Sequence, residues 1–213
     1  IDFVVALGDV LGVQGVTDGA VTTNKIANGA VTAAKIGSSA VDLTSKVTGV
    51  LPVANGGTGS NSVYLSRYIL SSDKTTDGTI TNWVSPSQSK QVGTIGTAVS
   101  VSSGIFTFPK TGIWKIKFQS RILSVSGDST IGLEIQVTDD NNTYSVYGFG
   151  GEGHGTGTMT GSLNVREIIN VDNVSNVKAK LVATSITSGC KFYGSNNNDS
   201  RTQVIFERIA DAQ

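Results

Sequence analysis

Two polar segments concentrate the side chains able to grip a hydroxylated ligand. One is Asp139-Asp140-Asn141-Asn142-Thr143-Tyr144, leading to Tyr147; the other runs Tyr193-Gly194-Ser195-Asn196-Asn197-Asn198-Asp199-Ser200-Arg201. Aromatic rings cover the apolar faces of sugars, while amides, carboxylates and guanidinium groups bond their hydroxyls. Asn141, Asn142, Tyr144, Tyr147, Tyr193, Asn196, Asn197, Asp199 and Arg201 are therefore the candidate binding residues. Asn and Asp also favour tight turns for local reasons, so an ordinary polar hairpin turn accounts for either segment as well. Tyr144 and Tyr147 fall on opposite faces of an extended strand, which predicts that one of them is exposed. A third stretch, Gly148 to Gly157, has six glycines in ten residues and holds His154, the single histidine; it reads as a mobile loop whose glycines either let backbone groups approach a ligand or let three identical chains crowd at an axis. His154 joins the candidate binding residues on that ground.

Catalytic chemistry finds no constellation. Glycoside hydrolysis needs two carboxyls facing one pocket. Glu134, Glu152, Glu167 and Asp172 are available, but Glu134 and Glu167 occupy alternating strand positions expected on wet faces. There is no Gly-x-Ser-x-Gly elbow, and a pair of Cys190 with His154 lacks an orienting third group. Cys190 reads as a small buried hydrophobe. Asp139 and Asp140 lack the bidentate Glu and loop Gly of a calcium loop, and Gly56-Gly57-Thr58-Gly59 is not followed by the Gly-Lys-Ser/Thr of a phosphate loop. No catalytic residue, cofactor or metal is expected. With 16 basic and 16 acidic residues the chain is formally neutral, which argues against a nucleic-acid partner. No run approaches the roughly twenty apolar residues of a membrane span, so no membrane insertion is expected. Phe3 to Leu7 is too short for a signal peptide, and the start at Ile1 suggests a missing upstream portion.

The elements that position these residues are strands. Trp114, Ile116, Phe118 and Ile122 alternate with Lys115, Lys117, Gln119 and Arg121, the two-residue period of a strand with one buried and one wet face. Ile131 to Val137 and Val177 to Ala183 repeat the pattern, and Leu163, Val165 and Val204 to Phe206 supply further strands. Short strands between Asn-, Asp- and Gly-rich turns predict a sandwich or jelly roll over residues 60–213.

Residues 1–59 differ. DGAVTTNKIA, NGAVTAAKIG and SSAVDLTSKVTG are imperfect copies of one unit, with Val21, Ile26, Val31 and Ile36 five residues apart and Val41 and Val47 in the third copy. Neither helix nor strand has that period. A unit this lean must bury its apolar side against neighbours. We read three chains winding about a common axis with these six residues at chain–chain contacts; a flexible linker is the plainer alternative.

Two resemblances follow. The tandem GAVT-x-x-KI units, Gly19 to Ile26 and Gly29 to Ile36, running into LPVANGGTG at Leu51 to Gly59, resemble the shaft-to-head junction of bacteriophage tail fibres. Gly104-Ile105-Phe106-Thr107-Phe108-Pro109 followed by Gly112-Ile113-Trp114-Lys115-Ile116 resembles the signature of complement globular-head and tumour necrosis factor-like jelly rolls. Together they imply an all-β homotrimer: a fibrous repeat shaft with a Gly-rich junction over 1–59, and a ten-stranded jelly-roll head over 60–213. They further imply a virion location, upstream tail or baseplate partners, and non-enzymatic attachment to a host cell-surface receptor, either glycan or protein. A structural virion protein whose jelly roll joins other virion components is the alternative. Three copies of His154 about an axis suggest a transition-metal site, but a solvated histidine is the simpler reading.

Overall fold

The computed structural model describes residues 18–37, 40, 63–125, 130–153, 157–195 and 199–213. The chain divides into two units, Ile1–Gly49 and Val50–Gln213. The expected junction at 59/60, the LPVANGGTG segment, Val41, Val47, His154, Asn196 and Asn197 lie outside the described residues.

In the first unit the first two repeats each make a single 3₁₀ turn, at Thr23–Lys25 and Ala33–Lys35. The copies share a fastening: Lys25 Nζ donates to Ala20 O (2.6 Å) and Lys35 Nζ to Ala30 O (2.7 Å). Lysine thus spans five residues and closes the turn, while the apolar residues turn outward. Val21, Ile26, Val31 and Ile36 are 54, 45, 55 and 43% exposed in the single chain. Val21, Ile26 and Val31 line one groove of about 430 Å³. The repeat therefore has regular local structure but buries none of its large apolar side chains by itself.

The second unit is β throughout its described residues. Its strands are β1 (Leu65–Leu70), β2 (Gly78–Thr79), β3 (Trp83–Val84), β4 (Thr94–Ile95), β5 (Ser100–Ser102), β6 (Ile105–Thr107), β7 (Gly112–Ser124), β8 (Ile131–Thr138), β9 (Ser145–Glu152), β10 (Met159–Val171), β11 (Lys178–Thr184), β12 (Lys191–Phe192) and β13 (Thr202–Ala210). One antiparallel sheet has the order β10-β7-β13-β1-β3, with β12 paired to β7 and β4 to β1. The other has the order β5-β6-β11-β8-β9, with β2 paired to β11. The described residues thus hold thirteen strands where ten were expected, four of them, β2, β3, β4 and β12, only two residues long.

Alternation in β7 sends Trp114, Ile116, Phe118 and Ile122 inward, all essentially without solvent contact. There they meet the other sheet: Phe106 of β6 lies 4.6 Å from Phe206 of β13, ring centre to ring centre. Phe108 lies 5.2 Å from Trp114, whose Nε1 donates to Lys110 O (3.0 Å). Tilted rings at these distances add to the area term. The glycine that opens β6 is obligatory, because Gly104 has φ +79° and a Cβ there would meet Ile80 O at 2.5 Å.

Two expectations are corrected. The glycine-rich stretch is not a loop along its first half, since Gly148 to Glu152 belongs to edge strand β9. Glycine serves packing there: Gly148 and Gly150 face Val165 of β10, and the Phe149 ring lies over Gly132 and Gly151. Glu167 is not on a wet face either. It shares the inward side of β10 with Val165 and Ile169, beside Gly148, while Arg166 and Ile168 point outward.

Strand register places the loops. β7 runs from Gly112, opposite Val171, to Ser124, opposite Met159. Leu65, which opens β1, stands opposite Glu207, itself opposite Lys115, so the chain enters the sandwich at the Gly112 end. The 139–144 turn belongs to that end, where Asn141 N–H donates to Asn176 O (3.1 Å) in the turn after β10. Tyr193 and Arg201 belong to the other end, next to Arg121 and the start of β13.

Candidate functional site

Tyr193 and Arg201 therefore stand at the opposite end of the sandwich from the 139–144 turn. At the entry end, Asp140 organises its turn. Its Oδ1 accepts from Thr138 Oγ1 (2.7 Å), Asn142 N–H (2.8 Å) and Thr143 N–H (2.7 Å). The hydrogen bond from the Thr138 hydroxyl, then those from the two amides, hold the carboxyl well below the ordinary carboxylate range. Asn141 takes φ 59°, the left-handed conformation Asn tolerates. Asn141 and Asn142 are exposed, but this carboxylate is spent on closing the turn.

Of the two tyrosines one is exposed, as expected. Tyr144 is half-buried beneath Lys180, whose Nζ sits 4.1 Å from the ring centroid, and burial pushes the phenol up. Tyr147 is exposed and shares a cleft of about 300 Å³ with Ile168, Asp139 and Asp172. Val146 and Phe149 of the same edge strand β9 are exposed as well.

At the far end, Tyr193 lies between two cations. The Arg121 guanidinium is 5.1 Å from its ring centroid and Lys191 Nζ 4.7 Å. Tyr193 N–H donates to Arg121 O (3.0 Å), and Thr202 Oγ1 donates to Tyr193 O (2.6 Å). Asp73 fastens the segment from a distant part of the chain: Oδ2 accepts from Lys191 Nζ (2.7 Å) and Oδ1 from Gly194 N–H (2.8 Å). Burial pushes the Asp73 carboxyl up, and the Lys191 and Gly194 hydrogen bonds with the charges of Lys191 and Arg201 outweigh it, leaving it below its ordinary value. The Asp73 hydrogen bond in turn raises Lys191. Asp199 accepts from Arg201 Nε (2.5 Å). A cleft of about 530 Å³ opens beside this cluster, bounded by Arg121, Arg201, Thr160, Ser162 and Ser200.

Tyr193, Asp199 and Arg201 are thus brought together, apart from Asn141, Asn142, Tyr144 and Tyr147. Asp73, Arg121, Lys180 and Lys191 were missed by sequence reasoning. Arg121 was visible only as a wet-face position of β7, and nothing local ties Asp73 to a residue 118 positions away. Glu134 lies on the outer side of β8 and Glu167 on the inner side of β10, so these carboxyls face different regions. Cys190 is buried, with Val125 N–H 3.4 Å from its sulfur. Among the described residues no group of three or more His, Cys, Asp or Glu is placed to hold a metal, and no helix is long and apolar enough to cross a membrane.

No protein-family model and no curated protein matches the sequence. Solved structures do match the fold. The chain is similar to Eiger TNF from S. frugiperda, at 11% identity and TM-score 0.53, over 72% of this chain and 96% of that one. It is also similar to murine APRIL at pH 5.0, at 11% identity and TM-score 0.50, over 68% and 98%. At such identity the likeness concerns the fold alone: the second unit is a jelly-roll β-sandwich of the tumour necrosis factor-like kind.

Proposed function

We propose that this chain is the distal region of a bacteriophage tail fibre, a homotrimer whose jelly-roll heads attach to a host cell-surface receptor without catalysis. The observation that carries the reading is the repeat. Val21, Ile26, Val31 and Ile36 recur in identical local geometry and find no core in the single chain, so other copies of the chain are their natural cover. Three heads then present three copies of the Tyr193 cluster, and weak single-site contacts gain by engaging a repetitive surface together. A glycan suits that cluster, with its guanidinium groups and hydroxyls. Upstream, the fibre joins tail or baseplate proteins of the virion.

The exposed apolar residues Val146, Tyr147 and Phe149 of edge strand β9, with Ile168 of β10 beside Tyr147, favour a second reading, in which the head joins other virion components. In the first reading a neighbouring head covers this edge. Labelled full-length chain incubated with a panel of bacterial strains decides between them. Attachment predicts saturable adsorption to a subset of strains, weakened by Tyr193→Ala, and a lower solution mass for Phe149→Lys. Adsorption to no strain, with Phe149→Lys unchanged in mass, supports the virion-joining role instead.

A further inference from the structure

The chain is neutral as a whole, yet its charge is segregated. The outward positions of β7 carry Lys115, Lys117 and Arg121, and register sets Arg166 of β10 opposite Lys117, Lys117 opposite Ile205, and Ile205 opposite Arg67 of β1. Glu207 is the one carboxylate at the outward positions of these strands, and it pairs with Lys117 (3.1 Å). Arg67 is held by Gln203 (2.8 Å) and Ser200 (2.5 Å), and Arg201 by Asp199. Lys115, Arg121 and Arg166 have no carboxylate partner among the described residues.

Two clefts follow this face. The one of about 530 Å³ beside Arg121 and Arg201 shares Gln119 with a second of about 310 Å³, bounded by Lys115, Lys117 and Arg166. From Lys115 to Arg121 the strand advances roughly 20 Å, further than one small anion reaches. Amide and hydroxyl groups alternate with the cations: Gln119, Asn164, Ser162 and Gln203.

The geometry points to a track for an anionic glycopolymer, a chain of sugar or polyol units carrying carboxylate or phosphate groups, laid along β7 with its charges on Lys115, Arg121 and Arg166 and its hydroxyls on the intervening amides and serines. The inference rests on the attachment reading and names the class of receptor. A glycopolymer suits the face better than a nucleic acid, because single strands are held by stacking bases on open aromatic rings and the one ring beside the track, Tyr193, is occupied by Arg121 and Lys191.

Binding of the full chain to polygalacturonate, polyglycerol phosphate, neutral dextran and oligothymidylate tests this. Polygalacturonate or polyglycerol phosphate should bind, the tighter of the two identifying the anion, with affinity falling as salt screens the contacts. Arg121→Gln and Arg166→Gln should each weaken binding about tenfold with unchanged melting temperature, whereas Lys178→Gln on the other sheet should leave it unaltered. Equal binding to dextran, tighter binding to oligothymidylate, or full affinity in the double Arg variant overturns the proposal. So does a changed solution mass of that variant, which marks the face as a chain–chain contact. Adsorption to cells without binding to either anionic polymer overturns the track and leaves receptor attachment standing; polymer binding without adsorption does the reverse.

Discussion

Gly150 of β9 faces Val165 of β10 so closely that a Cβ on the glycine would lie 2.6 Å from a Val165 methyl. The two edge strands close one side of the sandwich, and the absent side chain lets them meet. Gly150→Ala should cost about 1–3 kcal/mol, the range for overpacking a filled interior. Chemical denaturation of the purified chain measures it, and pairing the change with Val165→Ala should recover part of the loss.

The Asp140 turn carries a pH signature. Its carboxyl sits below the ordinary range in the folded chain, so its contribution is fully present above the unfolded value of about 3.9. That contribution fades as pH falls from there toward the folded value. Carboxyl chemical shifts should show Asp140 still ionised below the unfolded value of about 3.9. The Asn142 and Thr143 amides should exchange faster only below that point.

Asp73 positions the far-end segment. Asp73→Ala strands the buried Gly194 N–H, a loss of about 1–3 kcal/mol for an unsatisfied buried donor, and releases Lys191 from its raised value. Asp73→Asn keeps an acceptor for Gly194 and should recover most of the stability. Amide exchange at Gly194 and cell adsorption should fall into line, with Ala impaired and Asn close to the parent.

Replacing Val31 and Ile36 with Asp should loosen the assembly. Each loses roughly 1.5–3 kcal/mol of apolar burial per chain and places a charge where no partner exists. Analytical ultracentrifugation should show the double variant dissociating at concentrations where the parent stays assembled, with the β-sandwich still folded.

The sandwich was legible because alternation is written directly into β7, β8 and β11: Trp114, Ile116 and Phe118 against Lys115, Lys117 and Gln119 admit one reading. The Gly148 to Glu152 strand was not, because glycine signals a loop by propensity. Its place here is decided by Val165 and Leu163 across the gap, contacts no local window contains. Glu167 was misplaced for a related reason: β10 puts an acidic residue inward and Ile168 outward, against the usual polarity. At the site, Tyr193 and Arg201 could be singled out by residue type. Arg121 and Asp73 join them only through strand register and a long-range hydrogen bond. The basic face of β7 was hidden by a net charge of zero.

Light scattering of the intact chain in solution tests the central claim most directly, since shaft contacts and multivalent attachment both depend on threefold assembly. The expected result is a mass near three times 22.0 kDa. A single species at 22.0 kDa across the accessible concentration range contradicts it; the repeats would then be a linker and the head a single-site binder.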